Sequence, residues 1–112
     1  MVILVDVQVD SRTIVSFNPQ SYQGQEEKIL RERFPSVLRD EIELLNQLKS
    51  MSNEIRFLVS KGENGSHNIA LRVCGEDFPI IGKPNHRLGE SLMEAIQYIK
   101  AGMPRLMSHV KK

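Results

Sequence analysis

Cys74 is the only thiol in this chain of 112 residues, so nucleophilic chemistry is the first to weigh. A reactive cysteine needs its pKa depressed by a nearby histidine, a cation or a helix N-terminus. His67 lies on the same expected strand, but 67 and 74 differ by an odd number, which puts the two side chains on opposite faces of a sheet. At a strand end, a small buried hydrophobe is the expected role for Cys74. The histidines His67, His86 and His109 fall far apart and make no HxH, HxxxH or Cys/His pair of the kind that builds a zinc site. No metal and no cofactor is expected. There is no Gly-x-Ser-x-Gly, phosphate loop or Gly-rich dinucleotide turn. Glu26, Glu27, Asp40, Glu41 and Glu43 sit on expected helix faces among basic neighbours, as a solvated face does. The chain is therefore expected not to be an enzyme.

One loop carries more weight. Gly82-Lys83-Pro84-Asn85-His86-Arg87-Leu88-Gly89-Glu90-Ser91 gathers Lys, Asn, His and Arg directly before an expected helix. Free backbone N–H groups and the positive dipole end make such a place an anion site, which Lys83, Asn85, His86 and Arg87 would reinforce. The plainer alternative is a helix start capped by Asn85 and Ser91, with Lys83 and Arg87 keeping the loop soluble. Residues 1–82 hold nine Lys and Arg against twelve Asp and Glu, a balance of −3. Residues 83–112 hold six against two, a balance of +4, and Arg105 belongs to this basic part. Clustered cations are the footprint of phosphate binding, whereas cations near a helix C-terminus also satisfy the helix dipole.

The elements that must position these residues follow from periodicity. Ile3, Val5, Val7 and Val9 alternate, with Val2 and Leu4 making the other face apolar at its start, and Thr13–Phe17 is rich in β-branched residues. A hairpin of roughly 2–9 with 12–17 is expected, its first strand central or in a subunit contact. Asn18-Pro19 ends it. From Gln25 the period becomes helical, with Glu27 to Arg31 as a favourable pair and a break expected at 34–35, where Pro35 falls. Leu38, Ile42, Leu45 and Leu48 then line one stripe of a core helix to about Met51. Ile55, Phe57 and Val59 lead into Asn64-Gly65, a hairpin signal in which both turn residues take positive φ, and Ile69, Leu71 and Val73 return. A turn at Gly75-Glu76-Asp77 and a short edge strand Phe78–Ile81 follow, the edge being where Pro79 is tolerated. Leu88, Leu92, Ile96, Ile99, Met103, Leu106 and Val110 mark a last helix, kinked or split near Gly102–Pro104.

The order β-β-α-β-β-β-α implies a single α+β domain over 1–112, a mostly antiparallel sheet of four to five strands with helices on one face. With 40% apolar residues the chain can bury a core without staples. One cysteine, no signal-like leader and no apolar run near the roughly 20 residues that span a bilayer imply a cytoplasmic protein without a membrane.

Helix, strand, Gly-rich turn, two strands and a C-terminal helix over about 25–101, with Ala95-Ile96 in the opening of that helix, is similar in layout to the ribosome hibernation and ribosome-associated inhibitor proteins. The extra N-terminal hairpin and the Gly102/Pro104 break depart from that family. The resemblance implies RNA as a partner. The residues themselves imply, first, a regulatory protein working through protein–protein contacts, with a partner or with itself as a homo-oligomer. RNA or ribosome binding through the basic 83–112 part, and capture of a small phosphorylated ligand such as a nucleotide at 82–91, are the alternatives.

Overall fold

The computed structural model describes residues 3–110, the last of them by its backbone alone. Five strands, β1 (Val5–Gln8), β2 (Thr13–Phe17), β3 (Ile55–Lys61), β4 (His67–Val73) and β5 (Glu76–Ile80), form one sheet in the order β1-β2-β3-β4-β5. All neighbours are antiparallel except β2 and β3, which run parallel because the helical segment between them carries the chain back across the sheet. The architecture is α+β with the expected element order.

Alternation decides which face is covered. Val15, Phe17, Phe57, Val59, Ile69 and Leu71 point to one side and pack with Leu30, Phe34, Leu38, Leu48, Leu92 and Ile96 from the helices. The other side is open. There Arg56 stands directly opposite Arg72, a repulsive cross-strand pair by itself. Each is neutralised locally: Arg56 by Asp6 at 3.2 Å and Glu54 at 3.1 Å, and Arg72 by Asp77 at 2.8 Å. The Arg72 hydrogen bonds hold the Asp77 carboxyl below the usual carboxylate range.

The first hairpin pairs Val5–Gln8 with residues 14–17, shorter than the periodicity predicts. Its ladder stops at Val5 opposite Phe17, because β2 leaves the sheet at Asn18-Pro19 and proline has no N–H to donate. Val2 lies outside the described residues, and Ile3 and Leu4 are exposed ahead of the strand. β1 is an edge strand, not a central one, since β3 occupies the far side of β2. Arg12 fastens the β1–β2 turn to the next helical segment by donating to the carbonyls of Lys49, Ser52 and Asn53.

The expected break at 34–35 is absent. The chain runs from α1 (Gln25–Lys28) through a π turn (Ile29–Arg33) into α2 (Phe34–Asp40). The amide of Phe34 bonds the carbonyl of Ile29, so the widened turn absorbs the donor that Pro35 lacks. The break comes instead at Glu41 (φ −88°, ψ 59°), before α3 (Ile42–Met51). That offset turns Ile42 out to 63% exposure, and Leu44, Leu45 and Leu48 carry the buried stripe.

Both later turns differ in detail from their expected form. Gly65 takes φ 78° while Asn64 keeps negative φ, since the five residues 62–66 form a longer loop in which the Gly65 amide bonds the Gly62 carbonyl. The β4–β5 turn is Cys74-Gly75, one residue earlier than expected, with φ 55° and 77°. Finally α4 (Leu88–Val110) runs undivided through Gly102 and Pro104. Pro104 is on the solvent side, where water can satisfy the carbonyl of Lys100 that the ring leaves without an amide partner.

Candidate functional site

The basic loop lies between β5 and α4. Asn85 takes φ 68°, and the amide of His86 approaches the carbonyl of Lys83 at 3.4 Å, so residues 83–86 form a tight turn. Lys83, Asn85 and Arg87 are exposed. His86 Nδ1 lies 3.1 Å from Glu94 Oε1, at ion-pair distance but out of line for a hydrogen bond. Ser91 is inside the first turn of α4 with its hydroxyl buried and unpartnered, so it does not act as a cap. The fold brings Lys83, Asn85, His86 and Arg87 together. Arg105 stands apart from them, about 26 Å along the helix from its start at 1.5 Å per residue. The basic part is not one face either, because Lys100 pairs with Glu41 at 3.2 Å on the α3 side. Lys111 and Lys112 lie outside the described residues.

Arg105 belongs to a different place. An open groove of about 650 Å³ runs between β5 and the second half of α4. Leu71, Phe78 and Ile80 line it from the sheet, and Tyr98, Ile99, Gly102, Arg105 and Leu106 from the helix. It exists because α4 covers the centre of the sheet and leaves the β5 residues Phe78 and Ile80 only half buried. At one end His109 Nε2 meets Glu76 Oε2 at 3.2 Å and sits edge-on to Phe78. Tyr98 projects from the helix wall at 66% exposure. Ile99 and Leu106 fall on the core stripe by their period, and Tyr98 does not. The signal was a large aromatic one residue off that stripe.

A second assembly was not legible in the chain. Tyr22, in the polar stretch after the first hairpin, is fully buried against Phe17 and His67, and its hydroxyl lies 3.1 Å from His67 Nδ1. His67 Nε2 is 3.7 Å from Glu26, whose carboxylate also meets Lys61 at 3.1 Å. Lys61 in turn lies over the Tyr22 ring. Burial pushes the Tyr22 phenol up, with the Glu26 charge adding to it, so the hydroxyl keeps its proton. The Glu26 carboxylate can only accept, which favours the neutral His67 tautomer with its proton on Nε2 and the Tyr22 hydroxyl donating to Nδ1. A Tyr–His–Glu series of this kind relays protons where a substrate reaches it. Here the phenol and the imidazole are shut in, and the groove beside α4 does not reach them. The series pins the 18–24 loop to the end of β4.

Burial holds the His67 pKa below the ordinary histidine value, outweighing the upward pull of Glu26, and Lys61 adds a smaller downward push. Below about pH 6.5 the unfolded chain takes up a proton at this residue before the folded one does. Stability is therefore expected to fall as pH drops from about 6.5 towards 5. His67→Gln keeps an acceptor for Tyr22 and removes the titration. Thermal melts at stepped pH should show a flatter profile for that variant across the same window.

Cys74 is exposed rather than buried, a correction that follows from the early turn. β4 ends at Val73, so Cys74 is outside the strand and parity does not orient it. Its thiol donates to the carbonyl of Met51, and its amide donates to the Ser52 hydroxyl. It lies at the opposite end of β4 from His67, about 23 Å away at strand spacing. Among the described residues no group of three His, Cys, Asp or Glu side chains is placed to hold a metal, and no helix is long and apolar enough to cross a membrane.

No protein family, no curated protein and no solved structure matches this chain.

Proposed function

We propose that this chain is a non-enzymatic, regulatory binding domain of the cytoplasm that works by receiving an apolar segment of protein in the groove between β5 and α4. The observation that carries this reading is the groove itself. Its floor is apolar, its size is that of a ligand-sized cleft, and it is open along its length. Its wall combines an exposed tyrosine with an arginine that has no ion-pair partner among the described residues. Tyrosine and arginine are the residue types that dominate binding energy at protein interfaces. Pro79 blunts the free edge of β5, which argues for side-chain packing on the groove rather than addition of a strand.

The test is affinity capture from source lysate with and without nuclease treatment, comparing the natural chain with Tyr98→Asp and with Leu58→Asp on the open sheet face. Both substitutions are at positions that keep the helix and sheet cores intact. Proteins retained by the natural chain and by Leu58→Asp should be lost with Tyr98→Asp. Capture that ignores Tyr98→Asp contradicts the groove reading. Capture that nuclease abolishes favours RNA instead.

A second reading rests on the turn at 83–86, where Lys83, Asn85 and Arg87 are exposed directly ahead of α4. A small phosphorylated ligand there would meet the free amides and the positive dipole end at the start of α4. Thermal stabilisation by nucleotides, lost in Arg87→Ala, tests it.

A further inference from the structure

We infer that the occupant of the groove is a second copy of this chain, related by a two-fold axis that sets the two α4 helices antiparallel; this rests on the binding reading above and names its partner. Glu94, Tyr98, Ala101 and Arg105 are all exposed. At about 100° per residue these four positions fall within an arc of roughly 60° on α4, forming one stripe that faces away from the core. The stripe starts with an acid, ends with a cation and has an aromatic and a small residue between them. Laid against its own reverse, it puts Glu94 of each copy beside Arg105 of the other and Tyr98 over Ala101. Such a surface is self-complementary across a two-fold axis, as an isologous contact must be.

The two charges are free to take part. Arg105 has no ion-pair partner among the described residues, and Glu94 has only the poorly aligned His86. Ala101 and Gly102 leave room for two helix axes to approach to about 8–10 Å. The Tyr98 ring of each copy then enters the other's groove beside Phe78 and Leu106, both of which are left half buried. A parallel arrangement would set Glu94 against Glu94 and align the helix dipoles unfavourably, so direction is specified as well as contact.

Light scattering on size-exclusion peaks over a range of protein concentrations reads this out. The natural chain should be a dimer. Arg105→Glu, which opposes two carboxylates at each end of the stripe, should weaken self-association at least about tenfold. Glu94→Arg should do the same, and the exchange Glu94→Arg/Arg105→Glu should restore the dimer. Circular dichroism on each variant keeps loss of fold apart from loss of contact. A natural chain that stays monomeric, a dimer indifferent to Arg105→Glu, or an exchange that fails to restore association would each overturn the inference. A strict monomer whose captured proteins are lost with Tyr98→Asp would overturn this inference alone and leave the groove reading intact.

Discussion

Phe57→Ala is expected to cost about 3–5 kcal/mol, the usual cost of deleting a large ring from a closed core. Phe57 is central in every sense: it lies on the middle strand β3, is fully buried and meets Phe34 edge-on with ring centroids 5.9 Å apart. Its neighbours include Val15 on β2, Leu71 on β4 and Phe34 on α2, so no single shift can refill the space. Domains of this size hold only about 5–15 kcal/mol in total. At about 4 °C per kcal/mol, the midpoint of thermal unfolding should fall by more than about 10 °C. Leu58→Ala, one residue on and facing the open side, removes half as many atoms and should cost about 1 kcal/mol or less. A thermal scan that finds the two variants equal would contradict the assignment of faces.

Gly82→Ala is expected to cost about 3 kcal/mol or more, at or beyond the upper end of ordinary overpacking. A Cβ at this position would collide with the backbone carbonyl oxygen of His67. That carbonyl cannot give way easily, because His67 is paired to Lys61 in the β3–β4 ladder and its ring is enclosed against Tyr22. The Gly82 amide also donates to the Asn68 side chain at 3.1 Å. Gly62 makes the contrast. A Cβ there would meet the Ser66 hydroxyl at 2.6 Å, but a hydroxyl can rotate aside. Gly62→Ala should therefore lower the melting temperature much less than Gly82→Ala, and the reverse order would show that the end of β4 is not packed as described.

Elements with unambiguous period were legible in the residues. The Val15/Phe17, Phe57/Val59 and Ile69/Leu71 alternations put each strand's buried face where it is found, and Pro79 marked the edge strand. What failed was local. Pro35 signals a break only if the backbone has no other way to absorb its missing donor, and a π turn is such a way. With Pro35 accommodated, the interruption moved to Glu41, which nothing in its side chain announces, and Ile42 left the stripe it matched by spacing. The left-handed pair Cys74-Gly75 was obscured because cysteine is an unusual residue for positive φ.

Interaction surfaces were less legible still. The groove depends on how far α4 stops short of β5, a tertiary quantity without a sequence period. Tyr22 and His67 meet across 45 residues, and neither neighbourhood signals the other. Arg105 was singled out from charge alone, grouped with a loop at the far end of the same helix. Its setting is instead the groove wall, with Tyr98, Gly102 and Leu106.

The most direct measurement is photo-crosslinking from position 98, with a photoreactive phenylalanine analogue replacing Tyr98 in the full chain and a second probe at Leu58 as comparison. A probe that sits in a protein-lined groove on binding should crosslink from 98, to α4 of a second copy near Ala101 and Gly102, and should remain unlinked from 58. Efficient crosslinks from 58 with none from 98 would contradict the account, because the contact would then lie on the open face of the sheet and the groove beside α4 would be empty of function.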